Sequence, residues 1–156
     1  MQTKRLSMSQ AILNVRQFCS HQERSHIEVK ERLFSFGLNS EAVDGIVRDL
    51  ISEDFLNEER YARAFARGKF KLKGWGKVKI RYELKKKRVS EFCIRKGMGE
   101  IDDVEYTAKL SKLFEEKAKL LKGEKNKLIR NRKLINYLLQ KGYERDLILD
   151  NLKNGS

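Results

Sequence analysis

The sequence predicts an all-α fold, three tandem three-helix repeats set in an elongated row. Three observations carry that expectation. The 156 residues contain no proline, where average usage would place about eight. Helix start and stop signals recur in groups of three, at a spacing of about fifty residues that suits tandem helical units. Finally, 37% charged residues accompany 40% hydrophobic ones. Thin helical layers accommodate that balance, because each helix buries one apolar stripe and leaves a wide solvated face.

The elements follow in order. Ser7 and Gln10 have the spacing of a capping box, and Ile12, Val15, Phe18 and Cys19 share one face of the helix that starts there. Ser25 and Glu28 repeat the device before Val29, Leu33 and Phe36, with Gly37 as the stop. Ser40 is placed to cap a third helix, along which Val43, Ile46, Val47 and Leu50 fall at i, i+3, i+4 and i+7. These helices form a first repeat over residues 1–54.

Asn57 opens the second repeat, residues 55–100, as an N-cap. Its helices are expected near 58–72, 75–87 and 90–97, with Gly74 and Gly76 breaking the first join and Gly97 and Gly99 closing the set. The third repeat, residues 101–156, has helices near 102–122, 126–141 and 143–152, stopped by Gly123 and Gly142. Registering the second helix of each set aligns Leu33, Leu84 and Leu138. Val29, Ile80 and Leu134 lie four residues earlier, and Leu38, Val89 and Tyr143 five later. The alternative to three repeats is a single irregular bundle.

Several function classes drop out. No apolar run approaches the roughly 20 residues of a membrane span, and no secretory leader pattern opens the chain, so a cytoplasmic protein is expected. Cys19 and Cys93 are 74 positions apart and the two histidines are His21 and His26. Neither a disulfide framework nor a structural metal site is indicated, and no cofactor motif is present. Acidic pairs such as Glu58-Glu59 and Asp102-Asp103 sit at helix starts, where the dipole accounts for them. No catalytic constellation emerges, and a non-enzymatic protein is expected.

The net charge of +13 is unevenly spread. Residues 1–59 net −3, residues 60–88 net +12 and residues 89–156 net +4. On a helix over 58–72, Tyr61, Phe65 and Leu72 fall within about 40° of one another and form a core stripe. Arg60, Arg63, Arg67 and Lys71 cluster on another face, and Lys69 and Lys73 add to the same run. On the next helix Lys77, Arg81, Lys85 and Arg88 line up, with Ile80 and Leu84 inward. A lesser basic patch contains Lys125, Lys127, Arg130, Arg132 and Lys133.

Twelve excess positive charges in so short a segment exceed what solubility requires, since like charges one turn apart repel. The partner they call for is a polyanion or an acidic protein surface. Trp75, between Gly74 and Gly76, serves as a packing anchor in the helix connection or as a stacking platform for a single-stranded base.

The stretch Phe55-Leu56-Asn57-Glu58-Glu59-Arg60-Tyr61-Ala62-Arg63-Ala64-Phe65-Ala66-Arg67, followed by Gly74-Trp75-Gly76, Ile80, Glu83-Leu84 and Lys87-Arg88-Val89, resembles the central motif of the RecX family of bacterial recombinase regulators. Length and the three helix sets agree with that family along nearly the whole chain. One departure is Arg88, where the family usually has glycine; a side chain there weakens the expected left-handed helix stop.

The resemblance implies a curved, all-α, non-enzymatic monomer without cofactors that binds RecA and lodges in the groove of the RecA-DNA filament. It would modulate, and most commonly inhibit, strand exchange, ATP hydrolysis and coprotease activity. Direct contact with single- or double-stranded DNA is compatible with it. The basic stripes would then face the filament. The rival reading is a general DNA- or RNA-binding helical module that needs no RecA.

Overall fold

The computed structural model describes residues 5–154. Among these there are nine α-helices and no strand: α1 Met8–His21, α2 His26–Ser35, α3 Ser40–Ser52, α4 Glu58–Lys73, α5 Lys77–Lys86, α6 Glu91–Met98, α7 Asp103–Leu120, α8 Lys127–Lys141 and α9 Arg145–Asn154. The all-α expectation holds. The described chain forms two compact units. The first runs to Ala64 and includes Leu84–Lys96; the second comprises Phe65–Glu83 and the residues from Gly97 onward.

In the first unit, α1 begins with a complete capping box: Ser7 Oγ accepts from the Gln10 N–H, and the Gln10 side chain accepts from the Ser7 N–H. Ser25, fully buried, caps α2 through the Glu28 N–H. The α3 cap is Asn39 rather than Ser40, one residue earlier than expected; its carboxamide oxygen reaches the Ala42 N–H at 2.9 Å while Ser40 is already helical. Both residues are competent caps, so only backbone geometry distinguishes them. Helix α2 packs on α1 and α3, burying a cluster that includes Ala11, Val15, Val29, Leu33, Ile46 and Leu50.

In the second unit, α7, α8 and α9 pack on one another. Asp102 caps α7, and Asn126 caps α8 through the Leu128 and Ile129 N–H groups. Phe70, Tyr106 and Tyr143 stack in tilted pairs, with ring centroids 5.8 and 5.1 Å apart. Their polar ends are satisfied. The Tyr143 hydroxyl donates to the Gly74 carbonyl at 2.9 Å, and the Tyr106 hydroxyl accepts from the Lys77 N–H and donates to the Glu144 carboxylate. Burial first, and the nearby Glu144 carboxylate next, push both phenols well above their ordinary range.

The aligned register is buried, apart from Leu38, which is half-buried. Leu33, Leu84 and Leu138 are fully enclosed, as are Val29 and Ile80, with Leu134 nearly so. Four residues past each aligned leucine the chain turns left-handed: Gly37 at φ +88°, Arg88 at +59° and Gly142 at +99°. After α5 and α8 the turn is a complete Schellman motif. Arg88 and Val89 N–H groups bond to the Lys85 and Leu84 carbonyls, and Gly142 and Tyr143 N–H groups bond to those of Leu139 and Leu138. The expected weakening at Arg88 does not abolish the stop.

The core stripe expected along α4 needs correction. Tyr61 is buried, Phe65 is half-buried, and Leu72 is 85% exposed. Besides Tyr61, the buried positions are Ala62, Ala66 and Phe70. Steps of four advance about 40° each around a helix, so the apolar stripe drifts as it proceeds and leaves Leu72 in solvent. Helix α5 also starts later than expected, at Lys77. Gly76 is used in the turn, its N–H bonded to the Lys141 carbonyl at 2.8 Å.

Candidate partner-binding surface

The basic segment lies on α4, α5 and the turn that joins them. Its part in the first unit is largely held by acids from elsewhere in the sequence. Arg60 Nε meets Glu23 at 2.5 Å, and its Nη1 meets Asp54 at 3.2 Å. The hydrogen bond that Arg60 donates to Glu23 is the main reason its guanidinium pKa is raised above its ordinary value. Arg63 pairs with Glu59 one turn back at 3.0 Å. Lys87 Nζ lies 3.5 Å from Glu28, whose carboxylate also accepts from the Tyr61 hydroxyl. Lys85 and Arg88 are exposed and form no ion pair among the described residues.

The part in the second unit is more open. Arg67 meets Glu100 at 3.3 Å, and Lys77 meets the largely solvated Asp103 at 3.2 Å. Lys71 and Lys73 are exposed and without ion pairs among the described residues. Arg81 is half-buried. Lys69 and Lys79 place their ammonium groups 4.9 and 4.4 Å from the centroid of the Trp75 ring, which also meets Phe65 edge-on at 6.3 Å. Trp75 is therefore a half-buried packing anchor collared by cations.

This turn is locked by two glycines. The Val78 N–H bonds to the Gly142 carbonyl at 2.9 Å. A Cβ on Gly76 would come within 2.3 Å of that same carbonyl oxygen, and one on Gly142 within 2.2 Å of the Lys79 Cβ. The start of α5 is thus seated on the end of α8, and Lys77 and Lys79 are carried on a backbone with no slack.

Of the lesser patch, Lys125, Lys127, Arg132 and Lys133 are exposed and Arg130 is half-buried. Arg130 Nη1 donates to the Glu124 carbonyl at 3.1 Å, and Lys133 Nζ lies 3.8 Å from the Glu124 carboxylate. No group of three or more potential metal ligands is found among the described residues, and none of their helices is long and apolar enough to cross a membrane.

Charge counting within one segment overestimated what that segment leaves unpaired. Glu23, Glu28, Glu100 and Asp103, which hold Arg60, Lys87, Arg67 and Lys77, lie outside residues 60–88. Sequence reasoning also missed Lys79 as part of the Trp75 collar, and Glu58 as a second structural acid. Glu58 accepts from the Ser90 N–H at 3.1 Å and the Cys93 thiol at 3.7 Å, tying the start of α4 to the start of α6. No local signal in the sequence marks either role.

Comparison with known proteins bears on the same residues. Residues 57–98 match the second three-helix domain of RecX. A regulatory protein RecX of Clostridium perfringens (strain SM101) is 34% identical over 122 residues, covering 76% of this chain and 56% of that protein. One from Prosthecochloris aestuarii is 27% identical over 130 residues and is covered to 83%, like this chain. The chain spans little more than half the length of the clostridial relatives it matches. The crystal structure of RecX from Lactobacillus salivarius superimposes with a TM-score of 0.81, covering 94% of this chain and 95% of that one at 22% identity. The motif, the relatives and the fold agree: residues 57–98 match a RecX domain, and the chain is similar to RecX proteins along most of its length.

Proposed function

We propose that this protein binds RecA, or the RecA filament on DNA, and restrains its recombinase, ATPase and coprotease activities without an enzymatic step of its own. The observation that carries the reading is a coincidence of position. The segment matching the RecX domain, residues 57–98, is the one that concentrates the positive charge. In this reading it acts as a monomer in the cytoplasm, regulating DNA repair and recombination.

The contact residues are Lys85 and Arg88 in the first unit and Lys71 and Lys73 in the second, none of them committed to an ion pair among the described residues; Lys69, Arg81 and the more weakly held Arg67 and Lys77 add to those of the second. Arg60 and Arg63 are held in short ion pairs and chiefly support the fold. Many modest ionic contacts sum to a useful, salt-sensitive affinity, whether the opposing charges are phosphates or carboxylates.

Co-sedimentation with RecA on single-stranded DNA, with and without nucleotide and across salt, tests the assignment. Binding that requires RecA and inhibits its ATPase is expected. The Lys71→Ala/Lys73→Ala/Lys85→Ala variant should weaken inhibition about tenfold or more while keeping its helical circular dichroism. Tight, RecA-independent binding to bare DNA with a steep salt slope would favour a general nucleic-acid module instead.

A further inference from the structure

The lesser basic patch borders a recess that the filament reading does not use. Helices α7, α8 and α9 leave between them an open groove of about 500 Å³, within the range typical of ligand pockets. Its floor is apolar. Phe114 and Leu134 are 8% and 3% exposed, while Leu149 and Leu152 lie partly open to the groove, Leu149 at 41%. Its rim is cationic, formed by Lys122, Lys127, Arg130 and Lys153, and no carboxylate among the described residues lines it.

The acid of the adjoining connection is engaged elsewhere. Glu124 accepts from the Asn126 N–H at 3.1 Å and faces Lys133. Arg130 is oriented by its bond to the Glu124 carbonyl. Flanking that connection, Leu120 at the end of α7 and Leu128 at the start of α8 are 78% and 77% exposed.

This pairing of an apolar floor with an all-positive rim narrows the occupant. A phosphate backbone satisfies the rim and leaves the leucines wet. A neutral apolar ligand satisfies the floor and leaves Lys122 and Lys127 unmatched. A lipid surface receives protruding apolar side chains, whereas these line a recess. We propose that the α7–α9 groove is a docking site for an acidic amphipathic helix of a partner protein, with aliphatic side chains at i, i+3 and i+7 on the floor and carboxylates against the rim. Charge complementarity selects the acidic face and the groove selects the apolar one.

The site is testable without a recombinase, so its failure and that of the filament reading are separable. The probe is a fluorescein-labelled helical peptide of Glu and Ala carrying Leu at i, i+3 and i+7, followed by anisotropy against the whole chain. Saturable binding is expected, reduced about tenfold by Lys127→Glu/Arg130→Glu and to a similar extent by Leu149→Asp. Circular dichroism checks that each variant is folded, and the two act on different halves of the site. A peptide of the same composition with the leucines scattered should bind at least tenfold more weakly. The proposal is overturned if that scrambled peptide binds equally, if Leu149→Asp leaves affinity unchanged, or if an oligothymidylate or phosphatidylglycerol vesicles displace the peptide at lower concentration than unlabelled peptide does.

Discussion

The ends of α5 and α8 perform the same turn with different residues. Both close with the Schellman pair of hydrogen bonds and both place a left-handed residue four positions after a fully buried leucine. At the end of α8 that residue is Gly142; at the end of α5 it is Arg88. The difference lies in what surrounds them. Gly142 has the α5 backbone against it, whereas Arg88 projects into solvent. A left-handed φ alone costs a side chain roughly 1–2 kcal/mol, which a folded chain tolerates. A backbone in contact leaves no room for the side chain at all.

Four substitutions separate these two costs. Gly142→Ala combines them and should destabilise by about 3–4 kcal/mol in denaturant unfolding, since φ is +99° and Lys79 blocks the Cβ. Gly76→Ala isolates close approach, as no positive φ is involved. A loss of about 2–3 kcal/mol is expected from displacing the Gly142 carbonyl. Gly37→Ala isolates the dihedral: φ is +88° and the neighbouring atom belongs to the long Arg5 side chain. Its cost should be about 1 kcal/mol.

Arg88→Gly runs the comparison in reverse. Relief of the dihedral is partly offset by the greater freedom of glycine in the unfolded chain, leaving a gain of about 0.5–1 kcal/mol, read as a rise in the thermal midpoint. If Gly37→Ala proved as costly as Gly142→Ala, the dihedral would be the dominant cost and the distinction would collapse. A destabilised Arg88→Gly would show instead that the arginine side chain contributes to the fold.

Those turns also show how far the sequence could be read. The register of Leu33, Leu84 and Leu138 follows from spacing alone, because helical periodicity and glycine stops are local properties of the chain. Leu72 defeated the same logic, because the buried face of α4 drifts around the helix and its rotation depends on what packs against it. The choice of Asn39 over Ser40 turned on backbone angles that composition does not encode.

The candidate surface was legible in location and less so in strength. A run of cations is visible in any sequence, but Glu23 lies 37 positions from Arg60, and Glu100 lies 33 from Arg67. Only folding brings such pairs together. What remains both exposed and without an ion pair among the described residues is a subset of the expected basic run: Lys71, Lys73, Lys85 and Arg88.

The collar around Trp75 has an optical consequence. The chain contains one tryptophan, so its emission reports on the α4–α5 turn and on nothing else. Two ammonium groups lie within 5 Å of the ring centroid and set the electric field that the excited indole senses. An anion that draws either lysine away shifts that field, and with it the emission. The turn carries an intrinsic probe, and occupancy of the basic surface can be followed with no label attached.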